Sequence, residues 1–242
     1  WNDVDFDDPT AFEIWDFRRL NQLSKTGIIK LGDISDDEFG DRKDLKIKMS
    51  RVVRQLTQKY KTLEKDDNPE IFKDSLIVEM DKWKFPLNFI DFEASTAPLP
   101  YFVGQHPYEK VVFQFSHHIY HEDGRIEHAN QYINLEAGVF PNFDFVRHLK
   151  LALEQNEGTI FQYSPYENST LNQVRVQLEN SNESDREQLI DFIKTLTTPS
   201  SSQNYKGEKW KPTRGMIDLC VIIKDYYYNP FTKGSNSIKS VL

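Results

Sequence analysis

Residues 85–93 read FPLNFIDFE, an apolar run that ends in two acids, Asp91 and Glu93. Residues two apart on a strand point to the same face, so both carboxylates would project together from the edge of a buried sheet. Adjacent carboxylates repel each other unless a cation lies between them, and Mg²⁺ and Mn²⁺ take oxygen ligands. The stretch therefore indicates a strand that carries a metal site, with a solvated turn or a helix cap as the alternative role for the acids.

The residues after Glu93 predict an antiparallel hairpin. A proline-rich loop, residues 97–109, leads into a strand-like stretch, residues 110–120. Asp123-Gly124 then separates it from a second strand-like stretch, residues 126–134. Asp-Gly between two alternating runs is a strong hairpin signal.

A helix and another strand are predicted after the hairpin. The helix is indicated by apolar residues at helical spacing, namely Phe145, Leu149, Ala152 and Leu153. The strand is a short apolar stretch, residues 159–163. An acidic strand, a hairpin, a helix and a strand in this order are typical of the start of an RNase H-like sheet. We therefore expect an α/β fold with helices flanking a mixed sheet.

Several motifs occur in order along this part of the chain. They are FIDFE at 89–93, PYEK leading into FQFS at 107–116, YSPYE at 163–167, IDL at 217–219 and GSNSIKSVL at 234–242. Together they resemble a bacterial family of unknown function whose core is similar to the DEDD, or DnaQ-like, 3′–5′ exonucleases. The resemblance spans residues 85–242, and residues 14–34 weakly resemble a helical segment that precedes that core.

The resemblance implies a metal-dependent nuclease that hydrolyses phosphodiester bonds of DNA or RNA with Mg²⁺ or Mn²⁺, working from 3′ to 5′ by a two-metal mechanism. It implies that Asp91, Glu93 and Glu167 bind metal and that these acids and Asp218 form the catalytic set. Glu167 matches the second acidic motif of DEDD enzymes, although most of that superfamily has aspartate there.

Ordinary structural roles also explain two of these acids. Ser164, Pro165 and Glu167 have the form of a helix start, with serine at the N-cap, proline first and glutamate third. Asp218 would likewise serve as a structural or capping residue. A catalytically inactive RNase H-like binding or scaffolding module is therefore one alternative function, and a different metal-dependent phosphoesterase is another.

Two segments are expected in the 242 residues: an N-terminal helical segment, residues 1–80, and the RNase H-like domain, residues 81–242. The last acidic motif of a DEDD site is an Asp four or five residues after a His or Tyr, and it has no convincing candidate before Leu242. We expect it beyond Leu242, in a domain truncated at its C-terminus. Within the first segment, apolar side chains three to four apart predict an amphipathic helix over residues 41–64, whose Lys and Arg side chains would be solvated.

Composition limits the class of protein. A formal net charge of −8 argues against an indiscriminate polyanion-binding surface, although metal-site carboxylates are themselves acidic. The single cysteine, Cys220, leaves no intramolecular disulfide and no thiolate cluster for zinc, so we expect a cytoplasmic setting. No apolar run approaches the roughly 18 residues of a membrane helix, so we expect no membrane partner.

Histidines crowd the predicted hairpin at positions 117, 118, 121 and 128. If His117 or His121 faced His128 across the strands, two imidazoles and a carboxylate would suffice for Zn²⁺. Ordinary cross-strand pairing is the alternative.

Overall fold

The structure is a computed structural model that describes residues 4–5, 7–41, 48–199 and 207–242. Contacts divide the chain into two compact units. One combines the residues up to Lys82 with Cys220–Leu242, and the other is Trp83–Leu219. The segment Cys220–Leu242, assigned from sequence to the second domain, thus groups with the N-terminal residues.

The described residues form eight α-helices and seven strands. The α-helices are α1 (Leu20–Thr26), α2 (Arg51–Glu64), α3 (Lys73–Met80), α4 (Asn142–Leu153), α5 (Tyr166–Glu179), α6 (Arg186–Leu196), α7 (Leu219–Tyr226) and α8 (Ile238–Val241). The strands are β1 (Glu70–Ile71), β2 (Leu87–Thr96), β3 (Lys110–Tyr120), β4 (Ile126–Ile133), β5 (Ile160–Gln162), β6 (Ile217–Asp218) and β7 (Tyr227–Tyr228). None of the described helices is long and apolar enough to cross a membrane.

The second unit contains a five-stranded mixed sheet in the order β4-β3-β2-β5-β6. Strand β2 is central, antiparallel to β3 on one side and parallel to β5 on the other. The predicted hairpin is β3–β4, with Gly124 at a φ of 87° in its turn, a conformation that glycine adopts without steric cost. The predicted α/β class, with helices flanking a mixed sheet and a helical N-terminal region, is confirmed and is consistent with an RNase H-like arrangement.

Helices α4, α5 and α6 contribute buried apolar side chains that join those of the sheet in one core. Ile90 and Phe92 of β2 belong to it, and the Phe92 ring meets Phe145 of α4 edge to face at 4.9 Å between centroids. Burying one such side chain stabilises the fold by about 1.5–3 kcal/mol. Because strand side chains alternate, this packing turns Asp91 and Glu93 to the opposite face of β2.

The start of β5 approaches the start of β2 closely at Gly158. A Cβ atom on Gly158 would lie 1.7 Å from the carbonyl oxygen of Pro86, so no other residue fits without a backbone shift. The backbone N–H of Thr159 donates to the carbonyl of Lys84 at 2.8 Å, and that of Asn88 donates to the carbonyl of Thr159 at 2.8 Å. These contacts set the register between β2 and β5.

The N-terminal unit packs α2 against a separate apolar cluster that includes Leu31 and Phe39. The sequence predicted α2 from residue 41, but the helix begins at Arg51, because the Ser50 hydroxyl accepts a hydrogen bond from the Val53 N–H at 3.2 Å. Residues 42–47 of the predicted helix lie outside the described residues.

Two basic side chains of α2 are buried, so the prediction that they are solvated is wrong for both. Arg54 donates to the carbonyl of Tyr227 at 2.7 Å, and Lys59 donates to the carbonyl of Ile34 at 2.6 Å. Backbone carbonyls from other segments accept these cations' hydrogen bonds, a contact that helical spacing cannot reveal.

Candidate active site

Asp91 and Glu93 lie side by side on the central strand. Both are exposed, while Phe92 between them is buried. Asp91 lies opposite Ser116 and Glu93 opposite Gln114 on β3, and the register shifts between Glu93 and Ala94. Irregularities of this kind bend a strand locally and are common next to active sites.

Glu167 lies at the start of α5, directly after the turn that follows β5. Its side chain is buried, with 3 % exposed, and its Oε2 atom has no hydrogen-bond partner among the residues that the structure describes. The pKa of Glu167 is raised from 4.5 to about 7, chiefly by burial and in smaller part by the negative charges of Asp91 and Asp218. A hydrogen bond from its own backbone N–H opposes this rise. A buried carboxylate in this state takes up either a proton or a cation.

The helix start does not have the cap that the sequence predicted, with serine at the N-cap and glutamate at the third position. Ser164 has a φ of 70°, and α5 begins at Tyr166 with Pro165 at the N-cap and no side-chain cap hydrogen bond. Glu167 is therefore the second residue of the helix and not the third. Its buried, unpaired oxygen has no part in holding the helix end together.

Asp218 lies near this turn, at the end of β6. Its Oδ1 atom accepts a hydrogen bond from the Ser164 N–H at 2.8 Å, and it lies level with Gln162 of β5. Asp218 therefore positions the turn that leads into α5. Its negative charge also raises the pKa of Glu167, so Asp218 both holds the turn and acts electrostatically on the predicted site.

A lysine and a tyrosine adjoin the acids. The Lys110 ammonium lies 3.8 Å from the centre of the Tyr166 ring and 2.6 Å from the Thr170 hydroxyl. Burial lowers the pKa of Lys110, and the charge of Glu167 opposes that fall. The pKa of Tyr166 is raised, chiefly by burial and then by Glu93, Glu167 and Asp91.

Asp91 and Asp218 therefore lie close enough to Glu167 for their charges to raise its pKa, where β2, β5 and β6, which are mutually parallel, approach the start of α5, and Glu93 acts on the neighbouring Tyr166 in the same way. The hard oxygen donors of these acids and the unpaired Oε2 of Glu167 suit Mg²⁺ or Mn²⁺. Among the residues that the structure describes, however, no three or more His, Cys, Asp or Glu side chains form a group able to hold a metal ion. Carboxylates that repel one another move apart when no cation lies between them, so the acids of such a site need not converge without one.

The histidines make contacts other than those that the zinc hypothesis required, in which His117 or His121 faces His128. His128 faces His118, with 3.0 Å between Nδ1 and Nε2. His117 is fully buried and lies 3.0 Å from the Asn88 Oδ1 atom, and His121 contacts Glu127. Because an amide oxygen only accepts, His117 donates from Nε2, and its Nδ1 atom accepts from the Asn130 NH₂ group at 3.3 Å, which is the pattern of a neutral imidazole. These contacts are ordinary cross-strand pairing.

Sequence reasoning missed Lys110, Tyr166 and Thr170. Tyr166 and Thr170 lie within one helical turn of Glu167, so the helix start itself was a signal for them. Lys110 gave no local signal, because it reaches the site through the packing of β3 against α5.

Comparison with known proteins identifies a family. A family model described as a domain of unknown function, DUF2779, matches residues 88–237. No curated protein and no solved structure matches the chain. The match covers most of the chain, including all four acids, and the chain therefore belongs to the DUF2779 family.

Proposed function

We propose that this protein is a metal-dependent nuclease that hydrolyses phosphodiester bonds of DNA or RNA, and that it acts as a 3′–5′ exonuclease. The observation that supports this most is Glu167, a buried carboxylate with one unpaired oxygen near Asp91 and Asp218. An unpaired buried carboxylate lowers stability, and perturbed acids of this kind cluster at functional sites.

Three acids would hold the metal, namely Asp91, Glu93 and Glu167. Mg²⁺ or Mn²⁺ in such a site supplies an activated water molecule and neutralises the leaving oxygen. Asp218 holds the turn before α5 and so positions Glu167. Lys110 is a cation beside these acids, suited to pair with a substrate phosphate.

The inactive RNase H-like binding module remains the second candidate. It is favoured by the lack of a three-ligand group among the described side chains. It is also favoured by the sequence, because the last acidic motif of a DEDD site, an Asp that follows a His or Tyr base, has no convincing candidate in residues 1–242. For the same reason we expect slow turnover from this chain, since a general base contributes about 10²–10⁴-fold.

The test is cleavage of a 5′-labelled single-stranded oligonucleotide, as DNA and as RNA, at high enzyme concentration with Mn²⁺ or with EDTA. We expect Mn²⁺-dependent shortening from the 3′ end that Asp91→Asn and Glu167→Gln abolish. Glu122→Gln is the matched control, because it also removes one carboxylate charge. Glu122 lies in the β3–β4 turn, which follows the end of β3, whereas Lys110 lies at the start of that strand. Cleavage that survives both site substitutions would refute the proposal.

A further inference from the structure

A cavity of about 590 Å³ adjoins α5 in the sheet unit. The loop after β2, the segment that leads into α4 and the outer side of α5 form its walls. Phe102, Phe140, Phe143, Gln173, Val176 and Asn180 are among the residues that line it. Ligand pockets in proteins typically measure 300–1,000 Å³, so this cavity has room for a small organic group.

The chemistry of the walls favours a flat ring with polar edges. Phe140 meets Phe102 and Phe143 edge to face, at 5.2 Å in each case, which presents half-buried aromatic surface to the cavity. Amide side chains form much of the remaining wall. Among the described lining residues none is Lys or Arg, so a phosphate would lack a cation there.

Two lining amides have spare hydrogen-bonding capacity. The Gln173 Oε1 atom accepts from the Lys110 N–H at 3.0 Å, which leaves its NH₂ group without a partner among the described residues. The Asn180 NH₂ group donates to the Val176 carbonyl at 2.8 Å, and no described residue donates to its Oδ1 atom. One donor and one acceptor beside aromatic rings are the groups that read the edge of a nucleobase.

The cavity lies along α5 from the acids. Gln173 and Asn180 follow Glu167 by six and thirteen residues, so at 1.5 Å per residue they lie about 9–20 Å further along the helix. Stacked nucleotides rise 3.4 Å each, so about three to six of them span that distance. The backbone N–H of Lys110 donates to Gln173 while its ammonium lies 3.8 Å from the centre of the Tyr166 ring, beside Glu167 in the chain, which ties the cavity to the site.

We propose that this cavity seats one nucleobase of a single strand whose 3′ end lies at the acids. The proposal rests on the proposed function, because it takes the strand to run from the acids to the cavity. The base stacks on the phenylalanine rings and bonds the two amides, and the sugar-phosphate backbone stays outside.

The test is binding of fluorescein-labelled dA8 in EDTA, measured by fluorescence anisotropy, so that no cleavage occurs. Stacking of a base is worth about 1–3 kcal/mol, which corresponds to about 5–150-fold in affinity. We expect Val176→Trp, which fills the cavity, and Asn180→Trp, at an exposed lining position, to weaken binding by at least about fivefold. Leu151→Trp, at an exposed position of α4, is the matched control and should bind as wild type does.

A series of dA8 strands with one abasic position each locates the seated base. We expect an abasic site at one position, about three to six nucleotides from the 3′ end, to lower the affinity of wild type by at least about fivefold. The same abasic site should leave the affinity of the tryptophan variants unchanged. Equal dA8 binding by wild type and both variants overturns the proposal, as does the absence of dA8 binding. The proposal is also overturned if decanoate, an aliphatic probe, binds wild type and not the variants while all three proteins bind dA8 equally.

The proposed function and the cavity fail in different ways. If the cavity assignment alone is wrong, Mn²⁺-dependent cleavage persists and the tryptophan variants bind dA8 normally. If the proposed function alone is wrong, the variants still weaken dA8 binding in EDTA, and no cleavage is seen with Mn²⁺.

Discussion

Glu167→Gln gives the sharpest prediction, because the substitution keeps the shape of the side chain and removes its charge. Burial raises the pKa of Glu167 from 4.5 in the unfolded chain to about 7 in the folded protein. Below pH 4.5 the carboxyl group is protonated in both states, and its ionisation costs the fold nothing. As the pH rises from 4.5 to 7, the unfolded chain releases the proton first, and the folded state loses stability.

The magnitude follows from the shift in pKa. Each unit is worth 1.36 kcal/mol, so wild type loses about 3 kcal/mol of unfolding free energy across this window because of Glu167. Glutamine does not titrate. The unfolding free energy of Glu167→Gln minus that of wild type should therefore increase by about 3 kcal/mol between pH 4 and pH 8.

The assay is urea denaturation followed by circular dichroism in EDTA, at intervals from pH 4 to pH 8. Other titrating groups are shared by the two proteins and cancel in the difference. Glu122→Gln is the control and should show no such trend, because Glu122 is exposed. Mn²⁺ at pH 8 should restore stability to wild type and not to Glu167→Gln. A difference that stays constant with pH would show that Glu167 ionises normally, and would refute the reasoning.

Three further substitutions test other parts of the structure. Asp91→Asn relieves repulsion among the acids, so without metal it should equal or exceed wild type in melting temperature, yet lose the rise that Mn²⁺ causes. Burial lowers the pKa of His117 to about 4, so wild type should lose about 3 kcal/mol as the pH falls from 6.5 to 4, and urea denaturation of His117→Gln should lack that loss. Gly158→Ala should lower the unfolding free energy by at least about 1–3 kcal/mol in urea, because its Cβ would overlap the Pro86 carbonyl. An unchanged Gly158→Ala would show that the β2–β5 approach is looser than described.

Local patterns predicted the central strand well. The alternation of Ile90 and Phe92 with Asp91 and Glu93 determines which face is buried, and Asp-Gly marks the β3–β4 turn. These features depend on neighbours in sequence, so the chain itself reveals them.

Contacts between distant segments were harder to predict. The charge of Asp91 reaches Glu167 only because β5 pairs in parallel with β2, and the burial of the Glu167 Oε2 atom depends on packing. Lys110 joins the site through β3 and α5, and Arg54 is buried because carbonyls of other segments accept its hydrogen bonds. Apolar residues at helical spacing before Arg51 led the prediction to start α2 too early, because the cap at Ser50 decides where the helix begins.

The most direct test of the central claim is calorimetric titration of Mn²⁺ into the protein at pH 8, where Glu167 is ionised. If Asp91, Glu93 and Glu167 hold a divalent cation, wild type and Glu122→Gln should bind Mn²⁺, and Asp91→Ala and Glu167→Gln should not. Absence of Mn²⁺ binding to wild type, or binding that survives both site substitutions, would contradict the account.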